Sequence, residues 1–488
     1  MSEIYSDHMV LQRDKILKIR GHAPVGAHIV FSFAGYRKET FAGIDGCWCI
    51  TVPPISKGGP YVMEVRCGWH RLIFKDILMG EVWLTAGASC MLMHLYRACT
   101  GTEEMNFWKN CQTEGKRPFI LHVFEKNVHR NSWLFPFSYI MCKWFDRYEL
   151  LHHSEWKSID AQIVGSIAAY PYYFAKEISK RLDVPVGLIN MAIGGCPIES
   201  YVEREVLEEF FPDLIKGEPN PYSYNDHAKY VRKNNLRFAF NKHQKHYYDP
   251  GYAFESQIRS LDAYPIKGVL YGGFFWHKDQ VPCICSLFSM MVSSWRRVWR
   301  ENMPVYYLQL GRFHDETLNS SSLPEMRDAL RRLSDAVSDT YMIVTYDRLD
   351  NTEKDVLHPK DRSVVGERLG KSALYHTYGQ TDIVPSEPKF LQAVLEENLI
   401  RIRFEWSEGL HTLDGKEPSE FEISADDFHF VPVKARIEED QILIENVLNS
   451  PPVYVRYTWK DYPEVSVANG QDWPLSTFCE KIETYLEK

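Results

Sequence analysis

The 488-residue sequence lacks several features that would settle its class at once. No apolar run approaches the roughly 18 residues needed to span a bilayer, so no membrane partner is expected. Met1 to Asp14 shows no basic stretch followed by an apolar one, so a secretory leader is absent from the expectation and a cytoplasmic location enters it. Positive charge is not in excess: 56 Lys and Arg against 65 Asp and Glu give a net charge of −9, without blocks of like charge. A nucleic-acid partner is therefore not expected. Cysteine is sparse, odd in number at 11, and scattered from Cys47 to Cys479, which excludes a small disulfide scaffold. The C-x-C pairs Cys47/Cys49 and Cys283/Cys285 have no second pair at zinc-finger spacing, so reduced thiols, no metal and no other cofactor are expected. Low-complexity and collagen-like compositions are also missing.

Aromatic residues are present in quantity, with 13 Trp, 28 Tyr and 26 Phe. Such rings serve equally as core filling and as platforms for sugar rings, and composition does not choose between the two. Length predicts about three domains, and the hydrophobic period changes along the chain accordingly. Residues 1–76 carry short strand-like stretches at 16–19, 28–33 and 61–65, separated by Pro24-Val25-Gly26, Asp45-Gly46 and Gly58-Gly59-Pro60. That pattern predicts a β-sandwich-like domain. Residues 77–384 alternate apolar strands (77–84, 184–189, 266–270, 305–310, 341–345) with helical periods (170–182, 287–299, 323–336), the signature of an open parallel α/β sheet. A polar, aromatic, pattern-poor stretch near 216–250 reads as an insertion, either a lid or a surface excursion. Strand-like segments at 399–404, 442–444 and 453–458 predict a C-terminal β-domain over 385–488.

In open α/β sheets, reactive groups sit at the carboxyl ends of the strands. Ser89, in Gly87-Ala88-Ser89-Cys90-Met91 after an apolar strand, is placed to expose its hydroxyl in a strand-to-helix turn. Alone, such a serine is as well explained as a cap, and it lacks the second glycine of a nucleophile elbow. Asp355 precedes His358 by three residues, a spacing at which a carboxylate can fix an imidazole tautomer and leave its other nitrogen free to take a serine proton. The pattern is equally that of a solvated turn. Gly194-Gly195, after another apolar strand, allows backbone N–H groups to approach an oxyanion.

These motifs come in a recognisable order. Ser6-Asp7-His8-Met9-Val10-Leu11-Gln12-Arg13, Gly80-Glu81-Val82-Trp83-Leu84, Pro185-Val186-Gly187-Leu188-Ile189-Asn190 and Gly194-Gly195-x-Pro197-Ile198-Glu199 resemble the sialate O-acetylesterases. Ile266-Lys267-Gly268-Val269 and Asp355-x-x-His358-Pro359-Lys360 continue the resemblance, which runs to Val455-Arg456-Tyr457. It implies a flavodoxin-like SGNH-hydrolase domain flanked by N- and C-terminal β-domains, and removal of O-acetyl groups from sialic acid or another acetylated glycan. By position it makes Ser89 the nucleophile, His358 the general base and then acid, Asp355 its orienting carboxylate, and Gly194 and Gly195, with the Ser89 backbone, the oxyanion site.

Two motifs depart from the family's pattern. Its Gly-Gln-Ser-Asn-Met reads Gly87-Ala88-Ser89-Cys90-Met91 here, and its Trp-Tyr-Gln-Gly-Glu-Ser-Asn reads Leu270-Tyr271-Gly272-Gly273-Phe274-Phe275-Trp276. Loss of one oxyanion donor costs about 10²–10³ in kcat, so the missing amide weighs heavily. Phe274, Phe275, Trp276 and His277 are the candidates for a reshaped substrate pocket. Two expectations follow: a serine-dependent carbohydrate O-acetylesterase, or a catalytically degenerate relative that binds a glycan or another partner. In the second, the rings of Tyr222, Tyr224, Tyr230, Phe238, Phe240, Tyr247 and Tyr248 would add stacking surface.

Overall fold

The computed structural model describes residues 1–125, 135–148, 154–215, 226–239, 241, 243–273, 281–312, 323–347, 359–426 and 428–484. It is a mixed α/β structure in two compact units, Met1–Phe275 with Ser286–Val305, and Trp276–Cys285 with Tyr306–Lys488.

The first unit begins with seven strands: β1 (Val10–Gln12), β2 (Leu17–His22), β3 (His28–Phe33), β4 (Tyr36–Phe41), β5 (Cys47–Val52), β6 (Gly58–Cys67) and β7 (His70–Gly87). Strands β2 and β5 pair antiparallel, each burying alternate residues, as their period-2 pattern requires. Strands β4, β3, β6 and the first half of β7 form an antiparallel run.

Strand β7 is 18 residues long and carries the chain into a second sheet. Its first residues, His70-Arg71-Leu72-Ile73, are exposed, whereas everything from Ile77 to Gly87 is buried. The expected boundary at residue 77 therefore falls inside one strand. The change of pattern there marks a passage from one-sided to two-sided burial. The buried half lies between β10 (Val186–Asn190) and β11 (Gly268–Gly272), parallel to both, and β8 (Leu121–Glu125) continues the parallel order beyond β10. Strand β9 (Glu155–Ser158) closes that side antiparallel. Strands β8, β10 and β11 are buried throughout, because helices cover them. One of these, α1 (Ala169–Leu182), packs Phe174 against Trp83 at 4.8 Å between ring centroids. It ends where Asp183 turns left-handed (φ 51°) before Pro185, which brings the chain straight into β10.

Gln12, Arg13 and Glu81, from two of the ordered motifs, interlock. The buried Glu81 carboxylate accepts from Arg13 Nε at 2.5 Å and Gln12 Nε2 at 3.1 Å, while Gln12 Oε1 accepts from the Val82 N–H at 2.8 Å. A buried carboxylate needs this pairing, since removing one partner of such a pair typically costs about 3–5 kcal/mol. The clamp fixes β1 against the start of the parallel sheet.

The second unit contains the helices Leu323–Ala336 and Ser363–His376 and the antiparallel strands predicted beyond residue 385. Lys389–Glu396, Leu399–Glu405, Gln441–Glu445 and Ala435–Glu438 form one sheet, and Val431–Val433, Phe421–Ser424, Tyr454–Tyr457 and Phe478–Lys481 another. Ile400, Ile402, Ile423, Ile444, Tyr457 and Phe478 share its core. Arg368 joins the helix Ser363–His376 to this unit through a bidentate pair with Asp347 and a bond to the Asp472 carbonyl. None of the 11 cysteines forms a disulfide, and no described helix is long and apolar enough to cross a membrane.

Candidate active site

The end of β7 is shaped by two glycines. Gly87 has φ +111°, and a Cβ there would lie 2.0 Å from the Gly272 carbonyl oxygen. Gly273 has φ +151° and abuts the Ala88 nitrogen, where a Cβ would sit at 2.4 Å. This close approach lets the Ala88 N–H donate to the Gly272 carbonyl at 2.6 Å, so the chain leaves the sheet in one fixed direction. Ser89 follows at once, partly exposed, in a single 3-10 turn, Ser89–Met91, closed by the Leu92 N–H on the Ser89 carbonyl at 2.9 Å. The helix expected directly after the serine does not form, and three residues of 3-10 turn supply no macrodipole of consequence. Burial pushes the neighbouring Cys90 thiol up to about 12, so at neutral pH it stays protonated and is no competing nucleophile.

The Gly-Gly turn stands beside it. Beyond β10, the Met191 N–H donates to the Thr85 carbonyl at 2.7 Å and the Ile193 N–H to Gly87 at 2.9 Å, so the two strand ends leave the sheet together. Tyr201, fully buried, shares its hydroxyl hydrogen between the carbonyls of Gly87 and Met191, each at 2.9 Å. Gly194 is partly exposed, and a Cβ added to it would meet only Leu92 Cδ1, at 3.9 Å, among the described residues. Gly195 is left-handed (φ +73°), and the turn is closed by the Cys196 N–H on the Ile193 carbonyl at 3.1 Å.

The end of the expected insertion is neither lid nor surface excursion. Gln244, His246, Tyr247 and Tyr248 are buried beneath the turn that follows Gly195. Ser200 Oγ donates to the Tyr247 carbonyl at 2.9 Å, the Gly251 N–H reaches the Glu199 carbonyl at 3.0 Å, and the Tyr248 hydroxyl donates to the Gly194 carbonyl. Of the other rings in that stretch, Tyr230 and Phe238 are exposed, while Tyr222, Tyr224 and Phe240 lie outside the described residues.

Glu199 sits under this turn with 2% of its surface exposed, and its Oε2 has no hydrogen-bond partner among the described residues. Burial pushes its carboxyl up to about 7 from an ordinary 4.5. Between those values the folded chain holds a proton that the unfolded chain has lost. Its contribution to stability is therefore full below about pH 4.5 and is lost as pH rises through about 7. Glu199→Gln, which mimics the neutral acid, is expected to remove a fall on the order of 3 kcal/mol across that window. Urea denaturation of both proteins at about pH 5 and about pH 8 measures it. Equal pH dependence in the two would show that Glu199 is ionised when folded.

Ser89, Gly194 and Gly195 are thus gathered at the carboxyl ends of adjacent parallel strands. Asp355, His358, Phe274, Phe275, Trp276 and His277 lie outside the described residues. Tyr201 and Tyr248 escaped the sequence reading as site residues, because a lone tyrosine in an unpatterned stretch carries no signal of a carbonyl far along the chain. Among the described residues no group of three or more His, Cys, Asp or Glu is arranged to hold a metal ion.

No family model matches the chain. The sialate O-acetylesterase of Rattus norvegicus is 21% identical to it, over 94% of this chain and 89% of that one. The Homo sapiens sialate O-acetylesterase is 21% identical, over 85% of this chain and 77% of that one. The crystal structure of a carbohydrate acetylesterase from Xanthomonas citri superposes with a TM-score of 0.78 at 25% identity, covering 98% of each chain.

Proposed function

We propose that the chain, similar over most of its length to sialate O-acetylesterases and to a carbohydrate acetylesterase, hydrolyses O-acetyl esters of sugars through Ser89. The observation that carries this reading is whole-length similarity to a carbohydrate acetylesterase in a chain whose serine and Gly-Gly turn stand at adjacent strand ends. Ser89 Oγ attacks the acetyl carbonyl while His358, oriented by Asp355, takes its proton. The oxyanion is held by backbone N–H groups of Ser89 and of the Gly194-Gly195 turn. Collapse expels the sugar hydroxyl with a proton from His358 and leaves acetyl-Ser89, which a water activated by His358 hydrolyses. Each step needs only these side chains and water, so the reaction proposed is metal-independent.

Without the family's Asn side chain the oxyanion site is smaller, and turnover about 10²–10³ below that of a relative with the full set is in keeping with it. Phe274, Phe275 and Trp276 replace polar residues with rings suited to the faces of a sugar, and His277 follows them as a polar member of the proposed pocket. O-acetylated sialic acid is the substrate proposed first, after the names of the relatives. Acetate release from O-acetylated sialic acid, acetylated xylo-oligosaccharides and an aryl acetate tests the reading. Release from the sialic acid ester above the others supports it. Preference for the xylo-oligosaccharides moves the substrate to neutral glycans, and no release from any removes the esterase reading.

A further inference from the structure

A peptide bond flanked by glycines on both sides has the weakest steric reason of any to keep one orientation. The Gly194–Gly195 peptide is such a bond, and on the proposed reading its direction decides whether an N–H faces the oxyanion. Its carbonyl is the Gly194 oxygen, and its N–H, across a planar trans peptide, points the opposite way. That carbonyl accepts a hydrogen bond from Tyr248, a residue with 6% of its surface exposed, held from behind by Tyr247 and His246 at 4.5 and 5.0 Å between ring centroids. Among the described residues only Leu92 Cδ1 lies near a Cβ added at Gly194. The carbonyl is thus drawn toward Tyr248, and the Gly195 N–H, across the same peptide, is turned away from it.

We infer that Tyr248 is a positioning residue of the esterase, its hydroxyl locking the Gly194–Gly195 peptide so that the Gly195 N–H serves as an oxyanion donor. The inference rests on the proposed function and adds to it a residue 54 positions from the glycine it controls. It also gives a chemical role to the end of the 216–250 segment. The lock matters more in this chain than in one with a side-chain amide at the oxyanion. With that amide gone, backbone donors carry the developing charge, and they do so only if already aimed when the charge appears. Tyr201 acts in the same manner one strand over, fixing the carbonyls of Gly87 and Met191.

Tyr248→Phe keeps the ring and removes only the hydroxyl. Its expected effect on aryl-acetate hydrolysis is a fall in kcat of about 10- to 100-fold with KM changed less than about 2-fold. Inactivation by an aryl phosphonate, whose adduct on Ser89 places an oxygen at the oxyanion site, is expected to slow by a similar factor. Tyr264→Phe is the control, because its equally buried hydroxyl donates to the Val10 carbonyl at 2.7 Å and not to the glycine. It should alter thermal stability about as much as Tyr248→Phe while leaving kcat unchanged. An unchanged kcat in Tyr248→Phe, or an equal fall in Tyr264→Phe, overturns the inference while the esterase reading stands. Wild-type protein without turnover that depends on Ser89 removes the reading and the inference together.

Discussion

Ser89→Ala is expected to lower acetyl-ester hydrolysis by on the order of 10⁴-fold or more, with the fold intact. On the proposed mechanism the effect is this large because nucleophile and base act as a unit: without Oγ, the base proposed at His358 would have no proton to take and no acetyl-enzyme would form. What survives in the variant is any catalysis given by the backbone donors. Alanine preserves those donors, since the turn around residue 89 is closed by backbone bonds from Met91 to Ala88 and from Leu92 to residue 89. Surface-turn substitutions of this kind change stability by about 0.5 kcal/mol or less, so a folding defect would not mimic the loss. Initial rates with an aryl acetate and thermal melts of both proteins check it. Equal rates in the two would place the nucleophile elsewhere, and absence of turnover in both would favour a binding protein built on the same frame.

Gly87→Ala is expected to destabilise the chain by more than about 4 kcal/mol and to give little soluble protein. Two effects add. The φ of +111° belongs to a region that L side chains rarely adopt, and leaving it means moving the end of β7. The new methyl would also stand 2.0 Å from the Gly272 oxygen and 2.6 Å from its carbonyl carbon, which are backbone atoms of the next strand and cannot rotate away. Separating the strands sacrifices the Ala88 N–H to Gly272 bond and with it the direction in which Ser89 leaves the sheet. Gly35→Ala isolates the conformational part: its φ is +83°, but among the described residues nothing lies within 4 Å of its added Cβ. It should cost about 1–2 kcal/mol. Soluble yield and urea midpoints of the two variants separate clash from strain. Similar midpoints would mean that the two strand ends are not in close contact at Gly87.

How much was legible depended on whether the signal was local. Val186–Asn190, Leu323–Ala336 and Leu399–Glu405 stand where their periods put them, because each pattern reflects burial of that element alone. Leu121–Glu125 was passed over although its apolar run is clear, and the helix Gly101–Thr113 before it has few apolar positions to betray it. Strand β7 produced a boundary at residue 77 because a change of period looks the same whether a domain ends or a strand enters a second sheet. Within the site, Ser89 and Gly194-Gly195 were readable as turns after apolar strands. Tyr248 was not, since its contact joins residues far apart and its surroundings show no period. Glu199 was quoted within a motif, but only burial under the turn makes its charge a matter of stability. The aromatic load resolves in part: Tyr201, Tyr247, Tyr248, Tyr271 and Trp295 are buried supports around the strand ends, not exposed platforms.

The acetyl-enzyme is the most direct test that this chain is a serine-dependent carbohydrate acetylesterase. Protein mixed with an acetylated sugar or an aryl acetate, quenched in acid within the first turnovers and digested, is examined by mass spectrometry for one acetyl group on the peptide containing Ser89. The wild type is expected to carry it transiently, Tyr248→Phe to accumulate it more slowly, and Ser89→Ala to lack it. Acetate released while Ser89 never becomes acetylated would contradict the assignment.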